Sequence, residues 1–289
     1  MHRRRHGRRR AVRGGRLNFR PVSPALGIEV SGIDLARPLD DATFARIEQA
    51  WHEGLILLFR NQDLDEAGQA RFAARFGELG RVINQHDGAG RHPGVMYVSN
   101  IVENGKLIGA LPDGEMVFHS DQCYIEKPGI ATMLYAMEIP SRGGNTLFAN
   151  MYKACETLPT GIKARLEGKK AWNVYDYQAS PTHRGAASPD APRYAHPVLR
   201  THPATKRKAL YVNRLMTTAI EGLPAAESDA LLELLFEHAE RPEFVYEHQW
   251  RPGELILWDN RCTVHARTDF DASERRKLRR VALLGEVPE

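Results

Sequence analysis

His119 and Asp121, in the run Phe118-His119-Ser120-Asp121, are residues whose types and spacing could hold a metal ion. In a strand, residues i and i+2 point to one face, so an imidazole nitrogen and a carboxylate oxygen would meet the same ion. His-x-Asp also arises by chance, and its ordinary alternative is a hydrogen-bonded histidine beside a surface aspartate. A third ligand must come from elsewhere in the chain. His265 is the best placed of the remaining histidines, because it follows the apolar run Leu255-Ile256-Leu257-Trp258 and the turn Asp259-Asn260-Arg261. Two imidazoles and one carboxylate leave three octahedral positions open, which suits iron(II) oxygenases. Zinc would favour a closed tetrahedral site or a single open position.

The elements that must position these groups are predicted from periodicity and punctuation. A helix capped by Asp40 or Asp41 carries Phe44, Ile47 and Trp51 at three- and four-residue spacing and stops at Gly54, before an apolar strand over 55–59. A second helix is expected over 64–76, with Phe72 and Phe76 on one face. Residues 81–115 are rich in Gly, Pro, Asn and His and read as a lid-like loop with one strand at Val95-Met96-Tyr97-Val98. Strands follow at 116–124, 130–139, 145–150, 170–176, 208–213, 255–259 and 278–286, with helices at 151–168 and 225–239. Residues 178–206, dense in Pro, His, Arg, Ala and Ser, read as a second, irregular lid-like loop. Many short strands between turns predict a mostly β protein with flanking helices, a sandwich or jelly roll.

Composition narrows the class. With 289 residues, 42% hydrophobic and 26% charged, the chain can bury a large core and is not disordered as a whole. The longest apolar runs, such as Leu55-Ile56-Leu57-Leu58-Phe59, have the length of a buried strand and not of a membrane span. The net charge of +4 is concentrated at the start: residues 1–16 hold eight arginines and no acid, which leaves the rest at −4. We read 1–16 as a disordered Arg-rich leader and 17–289 as one domain. Basic arms can bind nucleic acid, but nothing in the body is patterned for bases, so a nucleic-acid partner is not expected. Cys123, Cys155 and Cys262 are an odd number with no close pairing, and no apolar signal segment precedes them. They read as small buried hydrophobes in a reducing, cytoplasmic setting.

Three motifs in order resemble a known family. Phe118-His119-Ser120-Asp121, Gly143-Gly144-Asn145-Thr146-Leu147-Phe148, and Trp258-Asp259-Asn260-Arg261 followed by His265 and Arg276 look like the taurine dioxygenase and 2,4-dichlorophenoxyacetate dioxygenase family. Gly32-Ile33-Asp34-Leu35 and Phe76-Gly77-Glu78-Leu79 extend the likeness over about 18–286. The resemblance implies a double-stranded β-helix core, cupin-like, and an enzyme using iron(II), 2-oxoglutarate and dioxygen. It implies that His119, Asp121 and His265 hold the iron. Arg276, eleven residues after the distal histidine, would bind the far carboxylate of 2-oxoglutarate with help from Thr146. A guanidinium fork and a hydroxyl suit a carboxylate. Because Asp121 is present, no ligand position falls to halide, which disfavours a halogenase.

The basic run from Arg275 to Arg280 has a second use. Strand alternation would turn Arg276, Leu278 and Arg280 inward and leave Arg275, Lys277 and Arg279 in water. By resemblance Arg280 meets the anionic group of the substrate, so a small anionic or zwitterionic molecule is expected. Other taurine contacts differ: Val82 stands in place of a sulfonate-binding histidine, Gln85 of a tyrosine, Glu115 of an asparagine and Met216 of an aromatic. Glu115 would face an amine, and Tyr124 and Asn100 are further candidates near the site. The family often forms dimers or tetramers, so a homo-oligomer is a possible state. The alternatives in other classes are a metal-dependent hydrolase on the same ligands and a nucleic-acid-binding protein led by the arginine tail.

Overall fold

The computed structural model describes residues 16–80, 90, 92–112, 114–176, 182–183 and 187–289. The chain enters through β1 (Asn18–Pro21) and β2 (Ile28–Ser31), forms helix α1 (Asp41–Gly54), and continues through β3 (Ile56–Phe59) to helix α2 (Glu66–Ala73). β4 (Val95–Ser99), β5 (Val102–Glu103) and β6 (Lys106–Leu107) lead to β7 (Met116–His119), β8 (Gly129–Glu138) and β9 (Thr146–Asn150). Helices α3 (Met151–Thr157) and α4 (Thr160–Leu166) precede β10 (Lys170–Val174), β11 (Arg193–Pro197), β12 (Leu199–Thr201), β13 (Lys208–Leu210) and β14 (Thr217–Ile220). Helix α5 (Ala225–Ala239) and a single 3-10 turn are followed by β15 (Val245–His248), β16 (Leu255–Asp259), β17 (Thr263–Arg267) and β18 (Lys277–Gly285).

Two sheets make the frame. One has seven strands in the order β1-β2-β3-β16-β8-β18-β4, and the other has four, β15-β9-β17-β7. Their inner faces meet where Phe148 of β9 lies 5.5 Å from Trp258 of β16, and Leu134, Ala136, Ile256, Val264 and Leu278 share that core. The outer face of the larger sheet is covered by α1 and α2, whose Phe44, Ile47, Trp51 and Phe72 pack on Leu57, Phe59, Met133, Leu257 and Val281. Strand alternation sends one set of apolar side chains to each layer, so a strand buried on both faces reads as a continuous apolar run. The result is the cupin-like double-stranded β-helix. Among the described residues no helix is long and apolar enough to cross a membrane.

Local signals set most element ends. Asp40 caps α1 by accepting from the Thr43 amide at 2.8 Å, and Asp65 caps α2 from the Gly68 amide at 2.7 Å. The single helix expected over 151–168 is two, because Leu158 is extended and Pro159 has no amide to continue the ladder. The second lid-like loop is also shorter than expected: β11 and β12 occupy 193–201, where β11 pairs with β10 and Val198 is fully buried. Of the remainder of that loop, 177–181 and 184–186 lie outside the described residues, as do 1–15, 81–89, 91 and 113.

One expectation about the basic run is overturned. Arg279 does not stay in water; it is 3% exposed. Its Nε donates to Gln69 Oε1 and its Nη2 to the Leu64 carbonyl, both at 2.6 Å, and its guanidinium lies 4.8 Å from the Tyr135 ring. The outward face of β18 is covered by α2, so an outward arginine there is buried as deeply as an inward one. Arg275, beyond the helix, is half exposed and pairs with Glu138 at 2.6 Å. Arg279→Ala is therefore expected to cost about 2–4 kcal/mol in urea unfolding, through polar groups left unpaired in the interior. Arg275→Ala should stay within about 1 kcal/mol, and equal effects of the two would contradict this burial.

Candidate metal centre

His119 ends β7, and register pairs it with His265 of β17. Directly opposed residues of antiparallel strands share a face. The two imidazole centroids accordingly stand 4.1 Å apart. Asp121 does not come from the strand, which ends two residues earlier; it sits in the following turn, where Gln122 takes a positive φ of 58°. The alternation expected to align His119 with Asp121 is thus not what brings them together. Even so, one ligand atom from each of His119, Asp121 and His265 lies within 4.8 Å of the others, with His265 Nε2 3.9 Å from Asp121 Oδ1.

Hydrogen bonds fix how each group faces the cluster. Nδ1 of His119 donates to the Val117 carbonyl at 3.0 Å, which leaves the lone pair on Nε2. Asp121 Oδ2 accepts from Thr132 Oγ1 at 2.5 Å and from Arg280 Nη2 at 3.0 Å, so Oδ1 is the oxygen turned to the histidines. Thr132 itself accepts from Asn260 Nδ2 at 3.2 Å, and Asn260 Oδ1 accepts from the Trp258 indole at 2.8 Å. Burial disfavours charge on Asp121, but the Arg280 cation and then the two histidines outweigh it and hold the carboxyl well below its ordinary range. Burial pushes His119 down, and burial with the neighbouring His119 pushes His265 down to about 3. All three groups therefore offer lone pairs at neutral pH. The donor set fits a mononuclear iron(II) facial triad, and His265 Nδ1, buried with no hydrogen-bond partner among the described residues, binds nothing that competes.

A basic pocket adjoins this cluster. On β17, Arg267 follows His265 by two residues and pairs in register with Thr146 of β9. Arg276 lies just ahead of β18 and is 2% exposed. Its Nη2 and Nε donate to the Gly144 carbonyl at 3.1 and 3.3 Å, and its amide to Asn100 Oδ1 at 2.9 Å. Asn100 thus places the Arg276 backbone. Gly143 is needed for the turn that presents this carbonyl: its φ is +70°, and a Cβ there would meet the Asp269 carbonyl oxygen at 2.1 Å. Among the described residues no carboxylate pairs with Arg276; burial, then the Arg267 charge, pull its guanidinium down to about 9. Thr146 Oγ1 accepts from the Trp250 indole at 2.9 Å, which leaves the hydroxyl hydrogen to donate. These residues fit the far carboxylate of 2-oxoglutarate.

Of the other sequence candidates, Met216 and Tyr124 share one packed group. Met216 is buried with Cys123, Tyr211 and Leu215, its sulfur 3.4 Å from Cys123 Sγ, and Tyr124 packs against this group with its ring 5.3 Å from that of Tyr175. Glu115 is exposed and stands 3.6 Å from His183. Val82 and Gln85 lie outside the described residues. Sequence reasoning missed Thr132, whose only signal is its place among apolar neighbours in β8, and Arg267, which the alternation from His265 would have pointed inward. A second buried group, His202, Asp259 and Cys262, also clusters. There Asp259 is already held by Arg261 at 2.8 and 2.7 Å and by His202 at 3.0 Å. It ties down the turn before β17. All three cysteines are free and buried.

A β-helix with two histidines and a carboxylate at one end of its barrel defines a class of mononuclear metal oxygenases, and comparison with known proteins gives the family. The Taurine catabolism dioxygenase TauD, TfdA family matches residues 18–282. The alpha-ketoglutarate-dependent 2,4-dichlorophenoxyacetate dioxygenase of Cupriavidus pinatubonensis is 34% identical, covering 92% of this chain and 97% of its own. A crystal structure of a taurine dioxygenase from Burkholderia xenovorans superposes with a TM-score of 0.80 at 33% identity, over 94% and 92% of the two chains. The crystal structure of AAD-2 in complex with Mn(II) and N-oxalylglycine gives 0.79 at 30%, over 94% and 98%. The chain belongs to the TauD, TfdA family and is an oxidoreductase of the dioxygenase class.

The hydroxyl of Thr132 carries a specific expectation. Thr132→Val keeps the shape and removes the bond to Asp121, so iron(II) affinity, read by competition with a chelator, should fall on the order of 10–100-fold. An unchanged affinity would show that Thr132 does not position the carboxylate.

Proposed function

We propose that this protein is an iron(II)- and 2-oxoglutarate-dependent dioxygenase that oxidises a small anionic or zwitterionic organic molecule. The observation that carries the reading is a three-residue cluster of metal-binding type together with the buried guanidinium of Arg276, which pairs with no carboxylate among the described residues. His119, Asp121 and His265 would hold the iron, and Arg276 with Thr146 the far carboxylate of the cosubstrate. When bound, iron and 2-oxoglutarate together supply the two-electron activation of dioxygen, and the cosubstrate leaves as succinate and carbon dioxide. The protein's own groups orient these partners and keep water out.

Arg280 would receive the substrate's anionic group. It lies at the metal's edge, since the same guanidinium bonds Asp121. Met216, Tyr124 and the apolar residues around them would pack against the remainder of the substrate. The exposed position of Glu115 supports no contact with a substrate amine. The unbroken seven-stranded sheet, which runs from β1 to β18, supports one catalytic domain over 17–289. Three free, buried cysteines support a reducing, cytoplasmic setting.

The test is a screen of carboxylates, sulfonates, sulfate esters and phosphonates for stimulated succinate release. At least one class should stimulate it, and Arg280→Ala should raise the apparent KM for that compound about 10–100-fold, the scale of a lost charge-assisted hydrogen bond. Turnover without succinate would favour a hydrolase. An unchanged KM in the variant would remove Arg280 from substrate binding.

A further inference from the structure

Asn260 is fully buried in the turn between β16 and β17, and its polar groups reach well beyond that turn. Its amide donates to the Ile130 carbonyl at 2.9 Å, and its carbonyl accepts at 3.1 Å from the hydroxyl of Ser120, the residue between His119 and Asp121. Its side chain accepts from the Trp258 indole and donates to Thr132, and these two residues are register partners on β16 and β8. The direction of this chain of bonds is fixed at one end. An indole N–H can only donate, so the oxygen of the Asn260 side chain must face Trp258, and its NH2 is left for Thr132. A Thr132 oxygen that accepts there turns its single hydrogen to another acceptor, and that acceptor is Asp121 Oδ2 at 2.5 Å. Turning the amide over would set donor against donor at Trp258. The same indole stands 4.7 Å from the His265 ring, so one side chain borders one member of the cluster and sets the bond direction at another.

Resting on the reading of His119, Asp121 and His265 as metal ligands, we propose that Asn260 is a positioning residue of the metal centre that acts through Thr132. Its amide, held one way round by Trp258, keeps the Thr132 hydroxyl hydrogen on Asp121 Oδ2 and so keeps Oδ1 turned to the metal. Bonds in series polarise one another, so a change two bonds from the carboxylate is felt there. Without that amide the Thr132 hydroxyl is free to rotate, and Asp121, in a turn with no backbone ladder, loses the constraint on one of the two bonds that orient it.

The experiment is calorimetric titration of the metal-free full chain with Mn(II). Wild type is compared with His265→Ala, Thr132→Val, Asn260→Leu and the double variant that joins the last two. Leucine has the branching of asparagine but neither donor nor acceptor. Asn260→Leu should weaken Mn(II) binding by about threefold or more, less than the loss from Thr132→Val, which touches the carboxylate directly. In the Thr132→Val background the same substitution should change affinity by less than about twofold, because its route to the carboxylate is gone. A merely structural role would give the same loss in both backgrounds. Asn260→Ser, too short to span Trp258 and Thr132, carries the same two expectations if the leucine variant does not fold. With His265→Ala impaired, a loss below about threefold in the wild-type background, or an undiminished loss in the Thr132→Val background, would overturn the inference and leave the metal-ligand reading intact. Wild-type affinity in His265→Ala would sink the metal-ligand reading itself.

Discussion

Two hydrogen bonds on one oxygen orient the whole site. Asp121 lies in a turn, where nothing in the backbone ladder tells its carboxylate which way to face. Thr132 and Arg280 take Oδ2, and Oδ1 is left for the histidines. Thr132 belongs to β8 and Arg280 to β18, neighbours in the seven-stranded sheet, whereas His119 and His265 belong to the four-stranded one. The cluster therefore forms only if the two sheets face each other at a fixed separation. That separation is set by the packed layer between them, in which Trp258 touches Phe148 and stands 4.7 Å from the His265 ring. Helices α1 and α2 act at a distance by burying the other face of the same sheet.

The distribution of arginines follows from this geometry. Arg276 and Arg280 alternate along one face of the chain at β18, and Arg279 is turned outward into the helix layer. The outward one is satisfied by the fold, through Gln69 and the Leu64 carbonyl. Arg276 donates from its side chain to the Gly144 carbonyl, and Arg280 donates to Asp121. A cation buried beside a single carbonyl costs stability, which is the feature that the proposed 2-oxoglutarate berth would account for.

Much of this was legible in the sequence, and what was not has definite causes. His119, Asp121, His265, Arg276 and Thr146 stand in ordered motifs, and the apolar runs at 55–59 and 255–258 mark strands buried on both faces. Helix α1 was readable from its cap and its apolar spacing. Alternation failed for Asp121 because the strand ends at His119, and it misjudged Arg279 because periodicity tells which face a residue takes and not what covers that face. The single helix expected over 151–168 overlooked Pro159, which has no amide to continue the ladder. β11 and β12 were hidden in a segment dense in turn formers, since their burial comes from partners distant in sequence. Thr132 stands out only as a polar residue among the apolar neighbours of β8; its importance arises from its hydrogen bond to Asp121, eleven residues earlier in the chain.

The central claim is that the His119, Asp121 and His265 cluster and the buried guanidinium of Arg276 form one site for iron and 2-oxoglutarate. Its most direct test is an anaerobic titration of the iron(II)-loaded protein with 2-oxoglutarate, followed by visible absorption. The account predicts a metal-to-ligand charge-transfer band that saturates with one equivalent of cosubstrate and is absent in His265→Ala. Absence of the band in folded, iron-loaded wild type, or its persistence in His265→Ala, would contradict it.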